Sequence, residues 1–303
     1  MRHRVRMSPR SPRPQVFPER AFTVAEARAN GVRERRLRAR DLSAPFPGIR
    51  VVAGDAPLDF VGRCRALVPR LPPGAAISHA SAAELHRLPL PSRLRGEAIH
   101  TLVPPPHRAI RMRGVVGHER PLGPDEVTRL AGIPVTTVVR TWLDLADQMT
   151  TAELVATGDH IIHRDLPLAS REELARALAT RTSRRGIRSL RSALGLLDDL
   201  AESPRESLLR VLLIEAGLPR PQTQLEIFDS HGLFVARVDL AYPERRVAIE
   251  YEGDHHRTDK AQWRKDITRV QRLHALGWTV IRVTQADLVA SAALLRDLRA
   301  LLG

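Results

Sequence analysis

Lysine is almost missing from this chain: Lys260 and Lys265 are the only two in 303 residues. Cysteine is scarcer still, and Cys64 alone excludes an internal disulfide and any cysteine-based zinc cluster. A bound metal must therefore sit on carboxylates or histidines. Aromatic residues make up only 4% of the chain, but apolar residues recur in periodic runs and amount to 43%, enough to fill the cores of roughly two domains. No run approaches the roughly 20 consecutive apolar residues of a membrane span, because charged residues interrupt every candidate. No internal repeat is visible, and neither a Walker-type nor a dinucleotide-binding Gly-rich loop occurs, so ATP and NAD are not implied. Residues 1–20 are rich in Arg, Pro and Ser and carry no apolar run; they read as a flexible basic arm and not as a secretory signal, and the protein as cytoplasmic.

What the chain has in excess is positive charge. A formal net charge of +14 attracts polyanions and releases their counterions on binding, which makes nucleic acid the natural partner. Biased codon supply can exchange Lys for Arg, but it does not by itself create an excess of cations.

Phe22 to Leu42 reads as two short helices, with Thr23 and Glu26 forming a capping box and Asn30-Gly31 the turn. Arg33, Arg35, Arg36, Arg38 and Arg40 fall on the second helix, and Pro45 to Ala53 suits a β wing, as in winged-helix DNA readers. Two short helices joined by Gly are also common in α-rich domains without DNA. Another helix, about His79 to Leu88, ends at Pro89 and Pro91. Ala98 to Val103 and Ala109 to Gly117 look like a strand pair; helices are then expected at Val138–Asp147, Ala152–His163, Glu172–Arg181 and Ile187–Ala201. Asp144, Asp159, His160 and His163 are read as solvated faces of these helices, not metal ligands.

The last hundred residues carry the most chemistry. Ser203-Pro204-Arg205-Glu206 opens a helix that Gly217 closes, and strands follow at Leu225–Asp229, Phe234–Tyr242 and Arg246–Glu252. A helix from about Lys260 to Leu276, a strand at Trp278–Thr284 and a helix at Asp287–Leu302 complete an αβββαβα order. Period-two geometry sends Glu250 and Glu252 to one face, and an antiparallel neighbour brings Asp239 to the same patch. Like charges at that separation need a proton or a cation between them. Mg²⁺ (or Mn²⁺) suits oxygen ligands, tolerates one or two carboxylates, and leaves positions for water and phosphate. The bland readings are a capping-box acid for Glu206, the wet face of an edge strand for Glu250 and Glu252, and an ordinary surface pair for Asp266 and Arg269.

Glu206, Val238-Asp239-Leu240, Glu250-Tyr251-Glu252-Gly253, His256, Gln262, Asp266, Arg269 and Leu276-Gly277-Trp278 occur in an order and spacing that resembles the very-short-patch-repair (Vsr-like) endonucleases of the PD-(D/E)xK superfamily. Phe22-Thr23 through Gly48, Ser78-His79-Ala80-Ser81-Ala82-Ala83 and Val139-Arg140-Thr141 resemble more loosely the AbiEi-like antitoxins, whose winged helix is often fused to such a domain in actinobacterial proteins. The first resemblance covers about a third of the chain and implies that Asp239, Glu250 and the Tyr251 carbonyl hold the metal, with Glu206 as a supporting acid. The superfamily usually has Lys where this chain has Glu252; Gln262, Lys265 or Arg269 could supply the missing function, and His255 or His256 could serve as general base.

The expected fold class is α/β (α+β). A flexible arm (1–20) precedes a winged-helix-like region (21–92), a mixed middle segment (93–202) and a restriction-endonuclease-like domain (203–303). The expected function is Mg²⁺-dependent DNA hydrolysis in repair or defence. Glu206, Asp239, Glu250, Glu252, His256 and Gln262 form its catalytic set, and Arg33, Arg35, Arg36, Arg38, Lys265 and Arg269 contact DNA. The alternatives are a catalytically inactive DNA-binding regulator and an antitoxin-like module whose partner is a toxin or another protein.

Overall fold

The computed structural model describes residues 21–52, 56–96, 98–181, 185–253 and 260–303, and of residues 260–265 the backbone alone. It is a mixed α and β structure with three separate sheets, and it falls into two compact units. The first comprises the chain up to Leu85 together with Arg95–Thr137; the second comprises His86–Leu94 and Val138–Gly303.

In the first unit, β1 (Ala21–Thr23) leads into α1 (Val24–Ala29). The Thr23 hydroxyl accepts from the Glu26 N–H at 3.0 Å, and the Glu26 carboxylate accepts from the Thr23 N–H at 2.9 Å, so the expected capping box is formed. Gly31, at φ +77°, turns the chain into α2 (Glu34–Leu37), which is a single helical turn. β2 (Leu42–Ser43) and β3 (Ile49–Val52) pair antiparallel, and β3 lies between β1 and β2 in a three-stranded sheet. After α3 (Phe60–Leu67), β4 (Ala76–Ile77) runs into α4 (His79–Leu85).

Next come β5 (Ile99–Val103), β6 (Arg111–Met112), β7 (Val115–Glu119), β8 (Val127–Leu130) and β9 (Ile133–Thr136). They join β4 in a six-stranded sheet of order β6-β7-β5-β4-β9-β8. The stretch expected as one strand at 109–117 is two, broken at Gly114 (φ +81°), and the pairing of β5 with β7 is parallel. The β8–β9 hairpin, which the sequence reading passed over, turns on Ala131-Gly132, both at positive φ as a tight two-residue turn requires. One apolar core joins Ile49 and Val51 of the small sheet, Cys64 and Leu67 of α3, and Ile77, Ile99, Ile133 and Val135 of the large one. The strands of residues 99–136 therefore pack with the expected winged-helix region, across the division placed at 92/93.

The second unit opens with α5 (Val138–Leu145), α6 (Thr151–Ile162), α7 (Arg171–Thr180) and α8 (Ile187–Leu196). Asp144 and Asp159, expected on solvated faces, are both buried. Asp144 pairs with Arg140 one turn back, and Asp159 pairs with the fully buried Arg210 at 2.6 Å. Gly158 lies inside α6, where a Cβ would come within 2.4 Å of Leu197 Cδ2 and 3.3 Å of Trp142 Nε1, both from fully buried residues. Gly158→Ala, which in an exposed helix would stabilise, is expected here to cost roughly 1–3 kcal/mol through overpacking, read as a lowered urea midpoint.

The chain then runs through α9 (Pro204–Glu215), β10 (Gln222–Phe228), β11 (Phe234–Tyr242), β12 (Val247–Tyr251), α10 (Lys260–Ala275), β13 (Thr279–Val283), α11 (Gln285–Val289) and α12 (Ala292–Leu302). The strands lie in sequence order, β10 to β12 antiparallel and β13 parallel to β12 across the α10 connection. One set of packed side chains joins Leu240, Val247 and Ile249 to Leu209 and Leu213 of α9 and Leu294 and Leu298 of α12. A second joins Ala241 and Ala248 to Leu273 of α10. The single helix expected at Asp287–Leu302 is two, because Ala290 leaves helical geometry at ψ 61°. Among the described residues no helix is long and apolar enough to cross a membrane.

Candidate functional site

Three strands and one helix of the second unit bring acids together. Leu240 pairs with Ile249 in the antiparallel β11–β12 ladder, so the next position outward sets Asp239 opposite Glu250. The Tyr251 N–H donates to Asp239 Oδ2 at 2.8 Å, which ties the two strands together at this point. On the other side of β11, Gln224 falls between the pairs Thr223–Leu240 and Leu225–Val238 and therefore lies level with Asp239. Gln224 has φ +52°, a left-handed conformation that L side chains rarely adopt, and its Nε2 donates to Glu206 Oε2 at 2.9 Å. Glu206 also accepts from the Glu202 N–H at 3.0 Å. Ser203 does cap α9 through its hydroxyl, but the Glu206 carboxylate does not return to the Ser203 N–H, so the capping-box explanation of this acid fails.

Glu206 and Glu250 are buried and Asp239 is half-buried. Burial pushes the Asp239 carboxyl up to about 7, Glu206 and Glu250 push it in the same direction, and the Tyr251 N–H and Arg269 pull against them. A carboxyl that titrates near neutrality accepts either a proton or a cation at little cost. Arg269 supplies part of the compensation: its guanidinium grips both oxygens of Glu250, with Nη2 to Oε2 at 2.9 Å, and lies 3.7 Å from Asp266. Arg269, expected on DNA, is thus turned onto the acidic cluster.

The remaining candidates separate from this centre. Glu252 is exposed and pairs at 2.7 Å with Arg282 of β13, the residue level with Glu250 in the parallel ladder. His255 and His256 lie outside the described residues, as do the side chains of Gln262 and Lys265. In the first unit, Arg33, Arg35 and Arg38 are exposed, with Arg38 3.5 Å from Glu34, whereas Arg36 is half-buried against Asp41 at 2.8 Å. Three of the four expected DNA contacts there remain solvent-facing.

A second constellation escaped the sequence reading. His79 at the start of α4, His100 on β5 and His118 on β7 bring one ligand atom each within 4.8 Å of one another. Among the described residues they are the group of three metal-ligand side chains placed to hold one ion. No sequence signal marks the trio, since its members are separated by 21 and 18 positions and meet only through the order β4-β5-β7.

Over 232 residues, 76% of this chain, the sequence is 34% identical to the uncharacterized proteins MT2308 and Rv2248 of two Mycobacterium tuberculosis strains, covering 81% of each relative. The chain belongs to the family of these mycobacterial proteins. No family model matches it. A crystal structure of the RV2827C protein from M. tuberculosis, 20% identical to this member of the family, aligns over 68% of this chain and 78% of that one with a TM-score of 0.37.

Proposed function

We propose that this protein is a metal-dependent DNA endonuclease whose centre is Asp239 and Glu250, with Glu206 beside them. The observation that carries the reading is the half-buried Asp239 carboxyl, set opposite Glu250 and raised to about 7 by burial, Glu206 and Glu250. That environment fits a divalent cation, because a doubly charged ion relieves the repulsion that otherwise holds a proton on Asp239. Asp239 and Glu250 would hold Mg²⁺ or Mn²⁺, which supplies charge to the scissile phosphate and acidifies a bound water. Glu206, fastened by Gln224 and the Glu202 N–H, adds its carboxyl group beside Asp239. The chain order from α9 to β13, with a parallel pair joined through α10, supports the restriction-endonuclease-like arrangement of the PD-(D/E)xK proteins.

The three-stranded sheet with its hairpin, the exposed Arg33, Arg35 and Arg38, and the net charge of +14 support DNA as the partner and a winged-helix-like contact for the first unit. The excess of cations and the lack of a long apolar run support action on DNA in the cytoplasm.

One observation favours a second reading. Arg269 already neutralises Glu250, and Glu252, where the superfamily usually has Lys, pairs with Arg282. A chain so arranged is also suited to an antitoxin-like regulator that binds DNA without cutting it. Supercoiled plasmid and mismatched duplexes incubated with the full chain and Mg²⁺ or Mn²⁺ separate the two. The endonuclease reading expects nicking that falls by at least about 100-fold in Asp239→Asn and in Glu250→Gln, the scale of a disturbed metal shell. No cleavage with either metal, together with salt-sensitive DNA binding retained in both variants, replaces it with the regulator.

A further inference from the structure

The trio of histidines in the first unit lies outside the acidic centre and calls for a different ion. We propose that His79, His100 and His118 form a binding site for a zinc-class divalent transition metal, with the fourth coordination position open to water or an anionic ligand. The ring nitrogens His100 Nδ1 and His118 Nε2 lie 3.0 Å apart, close to the roughly 3.3 Å between two nitrogens of a tetrahedral zinc site whose Zn–N bonds are about 2.0–2.1 Å. The ligand atoms of all three residues fall within 4.8 Å of one another, so closing the set around one ion takes about 1.5 Å at its widest. Imidazole nitrogens select zinc, cobalt, nickel or copper over Mg²⁺, which prefers oxygen.

The surrounding structure is built to hold the rings. His79 sits at φ +50°, in the left-handed region where a residue with a Cβ is strained, at the junction of β4 with α4. Such strain is retained where the neighbourhood demands a particular side-chain direction. The Ser78 hydroxyl meets His79 Nδ1 at 2.9 Å, an outer-shell contact of the kind that orients metal-bound histidines. The Ser78 N–H donates to the His100 carbonyl at 3.0 Å, and the His100 N–H donates to the Ser81 hydroxyl at 2.9 Å, so the β4–α4 junction is tied to β5 at this point.

On β7, His118 stands opposite Leu102, two residues beyond His100, which places both histidines on one face of the parallel pair. The His79 and His118 rings stack at 3.6 Å between centroids and His100 lies 5.3 Å from His118, so taking up an ion turns one ring out of the stack to bring both in-plane lone pairs onto it. His79 is buried, whereas His100 and His118 are half-buried and give an ion its way in.

The test uses the full chain, stripped with chelator, dialysed and titrated with Zn²⁺ and Co²⁺ near neutral pH. One equivalent of metal by elemental analysis is expected, with a Co²⁺ visible spectrum of a nitrogen-rich site lacking sulfur charge transfer. Asp239→Asn and Glu250→Gln are expected to leave this binding unchanged. His100→Gln and His118→Gln are expected to weaken it by more than about 100-fold, and Ser78→Ala, which keeps every ligand, by about 10–100-fold. The proposal is overturned if the wild-type chain takes up no stoichiometric Zn²⁺ or Co²⁺, or if binding is lost in the acidic-centre variants. Both readouts hold even where a histidine variant fails to fold.

Discussion

Arg210→Ala is expected to destabilise the second unit by about 3–5 kcal/mol, the cost of leaving a buried charge without its partner. Arg210 is fully buried on α9, and its Nη2 donates to Asp159 Oδ2 on α6 at 2.6 Å. The same oxygen accepts from the Ser207 hydroxyl at 2.6 Å, the other accepts from the Asp198 N–H at 2.7 Å, and Arg210 Nη1 donates to the Leu196 carbonyl at 2.6 Å. Burial pushes the Asp159 carboxyl up, while Arg210, Ser207 and the Asp198 N–H pull it down. Removing either charge strands the other among α6, α8 and α9. Replacing both with apolar residues of similar volume, Asp159→Leu with Arg210→Met, is expected to recover most of the loss, because desolvation and attraction then vanish together. Urea unfolding followed through Trp142, itself fully buried with its indole N–H on the Leu154 carbonyl, reads the second unit directly. A loss below about 1 kcal/mol for Arg210→Ala would show that water reaches the pair and that the burial argument is mistaken.

The second large effect concerns Asp239 and pH. The folded protein keeps this carboxyl protonated up to about 7, whereas an unfolded Asp releases its proton near 4. Between those values the native state binds more protons than the unfolded state, so stability falls as pH rises through the window and stays low above it. The full loss amounts to at most about 4 kcal/mol. Asp239→Asn is expected to abolish this slope and, at about pH 8 without metal, to be more stable than the wild type by a few kcal/mol. Its amide oxygen still accepts from the Tyr251 N–H. Because a cation binds the ionised carboxylate, Mg²⁺ at about 100 times its Kd is expected to restore roughly 2.7 kcal/mol to the wild type near pH 8, and almost nothing near pH 5. Thermal or urea midpoints at both pH values, with and without Mg²⁺, make the comparison. Equal stabilisation at the two pH values, or in Asp239→Asn, would place the metal elsewhere.

Both effects depend on α9, and its two faces show how far local pattern reaches. Ser203 as a cap, Pro204 at the first turn and Gly217 at the end announce the helix, and Leu209 and Leu213 meet the sheet as their spacing requires. Nothing local shows that Ser207 and Arg210 face another helix, since an arginine on an amphipathic helix is ordinarily solvated. The same limit explains Asp144 and Asp159. Their partners lie on the same or a neighbouring helix, and burial is a property of what packs on top.

The acidic centre was legible in part. Strand alternation and a short connection bring Asp239 towards the patch of Glu250, and the antiparallel ladder runs up to the pair Leu240–Ile249 just before them. Gln224 and Arg269 were less accessible to sequence reasoning. Gln224 reaches Glu206 through a left-handed backbone that strand periodicity does not anticipate, and Arg269 is one of several polar residues on a long helix whose rotation about its axis is set by Leu273 and the sheet.

By itself, then, the sequence determined what acts over a few residues: caps, turns, the period of each apolar stripe and the order from α9 to β13, together with a net positive charge. These follow from backbone sterics and hydrogen bonding along the chain. The tertiary structure alone decided which distant residues meet. It joined β4, β5 and β7 so that three histidines gather, and packed α6 on α9 so that Asp159 finds Arg210. Such contacts depend on sheet order and helix rotation, which follow from filling the common apolar core and are not recorded in the spacing of the residues that touch.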